Sequence, residues 1–350
     1  MKYSHISSYK IDSLIINLHI WNQERVRSIF RIYHKSKEYK TLFDYDSFKN
    51  LVEEKNLYGI ENKDSEICIF CHKEPSQTTF NKLPHVIPYL IGNKYLLHHG
   101  ECDECNDFFG RNLECELDKY LKPYRTLNRQ TNRRGNSISN EWRSNRSFKY
   151  DKESDKYILE LSEEDIQFNH ASKHVTFKLN QNKYIPVLVY KAFMKIFYGL
   201  LPRERLGEFE LLRKWIIHRE SNFIPFSPMN VMKTRLDGFS TSILDIVIIH
   251  KDVTNLQEFK EKLPMNEDLD YIAHLRFGNI IYEFPILTDL SFQKMKILKN
   301  NNLNISFNFP NIPKLGFSSE KEIIDFSIAR KISTTESLYF RFENLTEEEL

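Results

Sequence analysis

The chain has 350 residues, enough for two or three domains, and its hydrophobic fraction of 41% and charged fraction of 28% are ordinary for a globular protein. Its net charge of +2 excludes a chain that is basic throughout, so any contact with nucleic acid has to come from a local cluster of charge. The sequence contains no run of about twenty apolar residues, which a membrane-spanning helix would need.

The N-terminal region, residues 1–60, is predicted to be helical. Between residues 10 and 58, apolar side chains recur every three or four positions, which indicates amphipathic helices, and Gly59 follows as a stop signal. The first residues show neither an unbroken apolar stretch nor a small-residue cleavage site, so they do not predict a signal peptide. We therefore expect the protein in the cytoplasm, where thiols stay reduced and paired cysteines serve as metal ligands rather than as disulfides.

Four of the five cysteines form two Cys-x-x-Cys pairs, CIFC and CDEC, which lie about thirty residues apart. The four thiols are those of Cys68, Cys71, Cys102 and Cys105. Two such pairs match a tetrahedral structural zinc site, and the stretch between them is long enough to return to the same ion. The sequence therefore predicts a bound Zn²⁺ ion, with free thiols as the alternative. The fifth cysteine, Cys115, is interpreted as a small buried hydrophobic residue.

The stretch between the two pairs indicates a ββα unit. His85 lies in LPHVIPYLIGN, where a first strand is expected to end before Pro88, and KYLLHH fits a second strand. A helix is expected to begin near Asn106, in NDFFGRNLECELDKYL. The predicted order is therefore strand, loop, strand and helix, with zinc at the ends.

This module resembles the HNH endonucleases of the ββα-metal class, in the subgroup that carries two zinc-binding Cys pairs. The motif consists of Cys-x-x-Cys, then His-x-Ile-Pro followed by Leu-Ile-Gly-Asn, then Cys-x-x-Cys-Asn followed by Phe-Gly and an acidic residue. Its positions here are Cys68 and Cys71, 85–88, 90–93, 102–106, 109–110 and Glu114. The resemblance covers about 65 to 70 residues, and we place the zinc-bound module at residues 61–125.

The resemblance implies metal-assisted hydrolysis of phosphodiester bonds, in DNA rather than RNA. His85 would be the general base that activates water and also a ligand of a catalytic Mg²⁺ or Mn²⁺ ion. Asn106 would be a ligand of that ion, with Glu114 as a further ligand, because a regular helix places the two residues on one face. The middle residue of the motif, which steadies the catalytic loop, would correspond to His98 or His99, and we assign His99.

One position departs from the family pattern. Many HNH enzymes carry an acidic residue or a histidine as metal ligand directly before the general base, and this chain has Pro84 there. Three interpretations stay open: another side chain replaces the ligand, water holds most of the metal, or the domain does not cut. The candidates for a replacement are His98, His99, Asp107 and Glu114.

Residues 122–149 are strongly basic, with eight Lys and Arg side chains against the single acidic residue Glu141. Arginine can donate two hydrogen bonds to a phosphate, and interleaved aromatic residues can stack on bases. We therefore predict that an exposed basic arm, residues 126–147, binds nucleic acid together with the end of the preceding helix. The predicted contacts are Arg125, Arg129, Arg133 and Arg134. The alternative is a solvated linker.

The remaining sequence predicts an α+β fold. KYILEL, DIQFNH and HVTFKLN alternate like short strands, and two helices are expected on either side of Pro202, which defines a region 148–220. Residues 221–350 are rich in strand signals, including a hairpin at Gly278-Asn279. This C-terminal region has no recognised signature, and it is open whether it senses a ligand, forms a homodimer or binds a partner protein.

The sequence thus predicts a metal-dependent HNH endonuclease. Bacterial proteins that join an HNH module to an unassigned domain often act against phage, so the resemblance extends to antiviral defence. Two alternatives stay open. In the first, the zinc module and the basic arm bind nucleic acid without cutting it. In the second, the zinc module is a scaffold for a partner protein.

Overall fold

The computed structural model describes residues 39–44, 58–60, 67–94, 96–143, 146–220, 223–236, 244–251, 255–261, 263, 270–303 and 319–341. Both helices and strands are abundant in these ranges, and the C-terminal part is rich in strands, which confirms the predicted α+β class. None of the helices within them is long and apolar enough to cross a lipid bilayer.

The strands in chain order are β1 (Tyr39–Asp44), β2 (Tyr58–Ile60), β3 (Leu96–His98), β4 (Ser139–Arg143), β5 (Arg146–Asp151), β6 (Lys156–Glu160), β7 (Ile166–Asn169), β8 (His174–Asn180), β9 (Asn230–Leu236), β10 (Leu244–Lys251), β11 (Tyr271–Phe277), β12 (Ile280–Ile286), β13 (Ser319–Asp325) and β14 (Thr335–Arg341). The α-helices are α1 (Asp103–Phe108), α2 (Cys115–Leu127), α3 (Pro186–Leu200), α4 (Glu210–Ile217), α5 (Leu256–Glu261) and α6 (Asp289–Asn300).

A six-stranded antiparallel sheet dominates the C-terminal region, in the spatial order β1-β10-β11-β12-β9-β13. Its central hairpin turns at Gly278-Asn279, as predicted. Gly278 has a φ of +60°, which favours glycine, and a Cβ atom there would collide with the side chain of Asn128. The turn therefore packs directly against the end of α2.

Three smaller sheets complete the strands: β14-β8-β7, β4-β5-β6 and the parallel pair β2-β3. The segment 126–147 differs from the predicted arm, because β4 pairs with β5 from Ser139↔Lys149 onwards. Its polar sequence concealed this strand, since only one face of the small sheet packs inwards, mainly through Phe148.

The prediction of a helical N-terminal region is tested only at two places. Residues 39–44 form β1 at the edge of the large sheet, and residues 58–60 form β2, so both differ from the prediction. A stretch as short as YKTLFD is compatible with both the helical period of about 3.6 residues and the strand period of two, and its pairing with β10 makes it a strand. The other residues between 1 and 66, like the predicted strand LNISFNF, lie outside the described ranges.

Helix α3 lies at the centre of the core. It ends before Pro202, and a 3₁₀ segment, Arg203–Phe209, leads to α4, which confirms the predicted division into two helices. Nearly every residue of α3 is buried, and the ring centre of Phe193 lies 4.6 Å from that of Phe284 in the large sheet. One hydrophobic cluster extends from Cys68 to Leu338, so the cysteine module and the sheets share a core.

A buried carboxylate joins α2 to this core. Glu336 in β14 accepts hydrogen bonds from the hydroxyl of Tyr124 and, at 2.8 and 2.9 Å, from the ammonium of Lys233 in β9. Gln181 bridges the same group, since its amide donates to the Tyr120 carbonyl at 2.6 Å and to Glu336 at 3.4 Å. Burial and the neighbouring carboxylate raise the pKa of Tyr124, so its hydroxyl stays protonated and remains a donor.

We expect Tyr124→Phe to lower the free energy of unfolding by about 1–3 kcal/mol, because a buried carboxylate loses one charge-assisted hydrogen bond while the ring is kept. Urea unfolding followed by circular dichroism measures the change. Tyr339→Phe is the matched control, since Tyr339 lies on the same strand as Glu336 but is 40% exposed. Equal losses in the two variants would contradict the role of the buried carboxylate.

Candidate active site

Four thiols converge at one end of the core. The sulfur atoms of Cys68, Cys71, Cys102 and Cys105 all lie within 4.8 Å of one another. The Sγ–Sγ distance is 3.8 Å between Cys68 and Cys105, and 3.7 Å between Cys71 and Cys102. A tetrahedron of sulfurs at the usual Zn–S distance of about 2.3 Å has edges of about 3.8 Å. The four cysteines therefore fit a structural Zn²⁺ ion.

Local backbone geometry brings each pair together. In the first pair the chain turns back on itself, with the Cys68 N–H donating to the Lys73 carbonyl at 3.0 Å and His72 in the left-handed region at a φ of +59°. In the second pair Cys102 occupies the N-cap of α1 and Cys105 lies one turn along it. The two cysteines of each pair are separated by two residues, and this backbone geometry directs both of their side chains to the same point.

His85 lies on a loop fixed from two sides. It forms an isolated antiparallel bridge with Leu97, the middle residue of β3. This bridge, β3 and α1 together correspond to the expected ββα layout. The imidazole is partly buried, and Tyr89 meets it edge to face at 6.3 Å. Burial, followed by the positive charges of Arg133 and Lys195, lowers the pKa of His85. The ring is therefore neutral near pH 7, as a general base requires.

Asn93 steadies this loop. It is fully buried, and its amide donates to the carbonyls of Ile87 at 2.7 Å and of Leu96 at 2.8 Å, while its oxygen accepts from the Leu96 N–H at 2.9 Å. Its nitrogen also lies 3.5 Å from Nδ1 of His85. These bonds tie the loop after His85 to β3, the task that sequence reasoning assigned to His99. The signal in the sequence was the Gly-Asn that directly precedes the second strand.

The adjacent histidines have different surroundings. His98 is 1% exposed, its N–H donates to the Pro84 carbonyl at 2.9 Å, and its ring lies 6.4 Å from that of Phe70. Burial lowers the pKa of His98 to about 3, so it is a neutral core histidine. His99 is only partly buried, and its assignment as a catalytic residue stays a prediction.

An open cleft with a volume of about 300 Å³ lies beside the His85 loop. Its lining residues are Tyr89, Leu90, Gly110, Glu114, Cys115, Asp118, Arg125, Asn132 and Arg133. Tyr89 connects it to His85, and the exposed guanidinium of Arg133 lies 5.8 Å from the centre of the Tyr89 ring. The cleft therefore contains the positive charge of Arg133 and is separated from His85 by one aromatic ring.

The helix behind the cleft is interrupted. Between α1 and α2, residues Phe109–Glu114 form a π-helical turn, so the regular spacing that was used to align Asn106 with Glu114 does not hold. Asn106 is partly buried on α1, where its N–H donates to the Cys102 carbonyl at 3.0 Å. Its side chain forms no hydrogen bond with any residue that the structure describes. Glu114 lines the cleft.

The histidine loop, the strand, the helix and the four converging thiols all fall within one family match. Residues 68–122 match the family model of the HNH endonucleases. The match confirms the resemblance, and it covers both Cys pairs, His85, Asn93 and Asn106 but less than half of the chain. No curated protein and no solved structure matches the chain. We call residues 68–122 the HNH segment.

The HNH segment offers few ligands for a catalytic ion. Apart from the four cysteines, the described residues contain no group of three or more His, Cys, Asp or Glu side chains that converges on one point. Asp107 is paired with Lys82, and His98 is in the core, so Glu114 is the replacement candidate that lines the cleft. Mg²⁺ often takes only one or two protein ligands and completes its shell with water and phosphate, and the Glu114 carboxylate in the cleft is a ligand of the type that this ion takes.

The four predicted DNA-binding arginines are not equivalent. Arg125 is 6% exposed and pairs with Asp118 and Gln130, so it supports α2. Arg129 donates to Asp155 at 2.8 Å and lies over the rings of Tyr150 and Tyr157. The charge of Arg125 is therefore engaged within the protein, whereas Arg129 is 45% exposed and its ion pair lies at the surface. Arg133 and Arg134 are exposed beyond the HNH segment, so these two and the ion-paired Arg129 are the predicted contacts that solvent reaches.

Proposed function

We propose that the protein is a cytoplasmic, metal-dependent endonuclease that hydrolyses phosphodiester bonds of DNA, with His85 as the general base. The observation that carries the proposal is the placement of His85, which is neutral, loop-anchored by Asn93 and adjacent to a cleft that Arg133 enters. The thiols that fit zinc agree with a reducing compartment.

Each residue has a defined task in this mechanism. One nitrogen of the neutral His85 ring accepts a proton from water, and the water oxygen attacks phosphorus while the other ring nitrogen keeps its proton. Arg133 neutralises and orients the phosphate at the cleft. A Mg²⁺ or Mn²⁺ ion at Asn106, with Glu114, would supply positive charge for the leaving oxygen. Asn93 keeps the loop closed so that the geometry is set before DNA binds.

The direct test is incubation of the purified chain with supercoiled plasmid and Mg²⁺ or Mn²⁺. We expect nicked and linear products that require the ion. An RNA of the same sequence serves as the competing substrate, and faster cleavage of RNA would overturn the choice of DNA. A role in antiviral defence is tested by phage plaque counts on cells that express the protein or its His85→Ala variant.

Pro84 favours a second candidate, a module that binds nucleic acid without cutting it. This residue is buried and its side chain cannot bind a metal, so one ligand of the family pattern is missing. Binding of a DNA duplex by a zinc-loaded protein that never cleaves plasmid, with either ion, would favour this candidate over the nuclease.

We expect Arg133→Ala combined with Arg134→Ala to weaken DNA binding and to reduce the slope of log affinity against log salt by about 2, because each phosphate contact contributes about 0.9. Fluorescence anisotropy of a labelled duplex between 50 and 200 mM salt, a span over which such contacts weaken strongly, measures the slope. Arg129→Ala is the comparison variant and is expected to reduce the slope less, since this exposed guanidinium already pairs with Asp155. An equal slope of log affinity against log salt for the double variant and the unaltered protein would contradict the assignment.

A further inference from the structure

A buried ion pair contacts the backbone of the proposed general base, His85. Lys195 belongs to α3, outside the HNH segment, and its ammonium lies 3.0 Å from the carboxylate of Glu101. The two side chains are only 3% and 1% exposed. The same ammonium donates a hydrogen bond to the backbone carbonyl of His85 at 3.3 Å. One cation therefore bridges α3, the His85 loop and the residue that precedes Cys102.

Two aromatic rings flank the pair. The Lys195 ammonium lies 5.9 Å from the centre of the Phe70 ring and 5.4 Å from that of Phe109. In such a site the attraction between the charges is strong, but taking them out of water costs about as much, so the pair adds little net stability. Separation of either partner from the other is nevertheless strongly unfavourable, because it would leave a buried charge without a counter-ion. The pair therefore fixes geometry.

The geometry that it fixes is that of His85. Asn93 ties down the chain after His85, whereas Lys195 holds the carbonyl of His85 itself. Lys195 also pairs with Glu101, which directly precedes Cys102 at the start of α1. The same ammonium therefore fixes the position of the His85 loop relative to the second Cys pair. Without the ammonium the carbonyl of His85 would lose this contact, and the bridge to Leu97 and the bonds of Asn93 would hold the imidazole less firmly.

We propose that Lys195, together with Glu101, is a positioning residue for the general base of the HNH segment. The inference rests on the proposed function in that it names the residue outside the family match that orients His85. A displacement of about 1 Å in a catalytic group can cost up to about 100-fold in rate. The pair therefore acts on the turnover step, and the binding of DNA does not depend on it.

The test replaces the pair by apolar side chains of similar size, Lys195→Met with Glu101→Leu, because removing both charges leaves no unpaired ion in the core. We expect one zinc per chain, an unchanged KM for plasmid and a kcat lowered about 10- to 100-fold. In the His85→Ala background the same pair of changes should have no further effect on the residual rate, since it acts through His85. A wild-type kcat with full zinc content overturns the proposal.

Lys191→Met is the matched control. Lys191 lies one turn earlier on α3, is equally buried, and donates to the His218 carbonyl at 2.9 Å, away from the His85 loop. We expect this variant to keep the wild-type kcat. If the double variant does not take up zinc, Lys195→Met with Glu101→Gln replaces it, because the amide keeps the shape of the carboxylate and no unpaired charge is left in the core. A wild-type kcat together with an unchanged NMR signal of the His85 ring in this variant also overturns the proposal.

A second measurement is independent of cleavage. The ¹H–¹³C NMR signal of the His85 ring should be single and narrow in the zinc-loaded protein and in Lys191→Met, and broadened or doubled when the pair is replaced. If the unaltered protein does not cut DNA, the proposed function fails while this signal still decides the positioning role. An unchanged His85 signal in the double variant shows that the pair does not orient the ring.

Discussion

Withdrawal of zinc is expected to unfold the HNH segment and to destabilise the whole core with it. Structural zinc contributes roughly 10 to 16 kcal/mol in small modules, whereas an entire domain is stable by only about 5 to 15 kcal/mol. The cysteines here are part of the same hydrophobic cluster as α3 and the large sheet, so the loss is not confined to one loop. Chelator titration followed by near-ultraviolet circular dichroism and thermal melting measures the effect.

Two cysteine variants control this experiment. Cys102→Ser removes one of the four converging thiols, and we expect it to lose zinc and to melt like the chelated protein. Cys115→Ser changes the thiol that lies in the cleft outside the tetrahedron, and it should keep one zinc per chain. A chelated protein that melts at the unaltered temperature would show that zinc does not support the fold.

His85→Ala is expected to reduce plasmid cleavage by about 10²- to 10⁴-fold, the usual contribution of a general base, while zinc content and DNA affinity stay unchanged. Binding should survive because the exposed arginines, Arg133 and Arg134 among them, are unchanged. Single-turnover nicking rates and anisotropy, measured on the same preparation, separate the two quantities.

Three further variants interpret the result. His170→Ala, in the turn between β7 and β8, is the matched histidine control and should cut at the normal rate. Asn93→Ala and His99→Ala decide which residue steadies the loop, and the contacts of Asn93 lead us to expect the larger loss there. Unimpaired cutting by His85→Ala would assign the base to another residue.

Several features could be predicted because their signals are local. The zinc ligands are recognisable from the spacing within each Cys pair, and the break after α3 follows from Pro202 alone. The hairpin at Gly278-Asn279 likewise depends on a backbone conformation that those two residue types favour. In each case the physical cause lies within a few residues of the feature.

Other features depend on partners that are distant in sequence. Asn93 acquires its role only when the loop closes on Ile87 and Leu96, and Lys195 meets His85 from another region of the chain. The charge count of the basic stretch could not distinguish Arg125, which α2 directs inwards to Asp118, from the exposed Arg133. Net charge reports composition, whereas accessibility depends on where the fold places each side chain, which is inside for Arg125 on α2 and outside for Arg133 in the turn after it.

The hydrogen bond between Tyr124 and Glu336 spans 212 residues, and this separation bears on protein synthesis. A ribosome releases the zinc cysteines and His85 long before it reaches β14, and chains begin to fold from the N-terminal side as they emerge. Helix α2 cannot complete its burial until residue 336 has left the exit tunnel. Chains truncated before residue 336 would therefore contain the zinc cysteines and His85 but lack the carboxylate that holds α2 in the core. We expect such chains to be incompletely folded and to be substrates of cellular proteases.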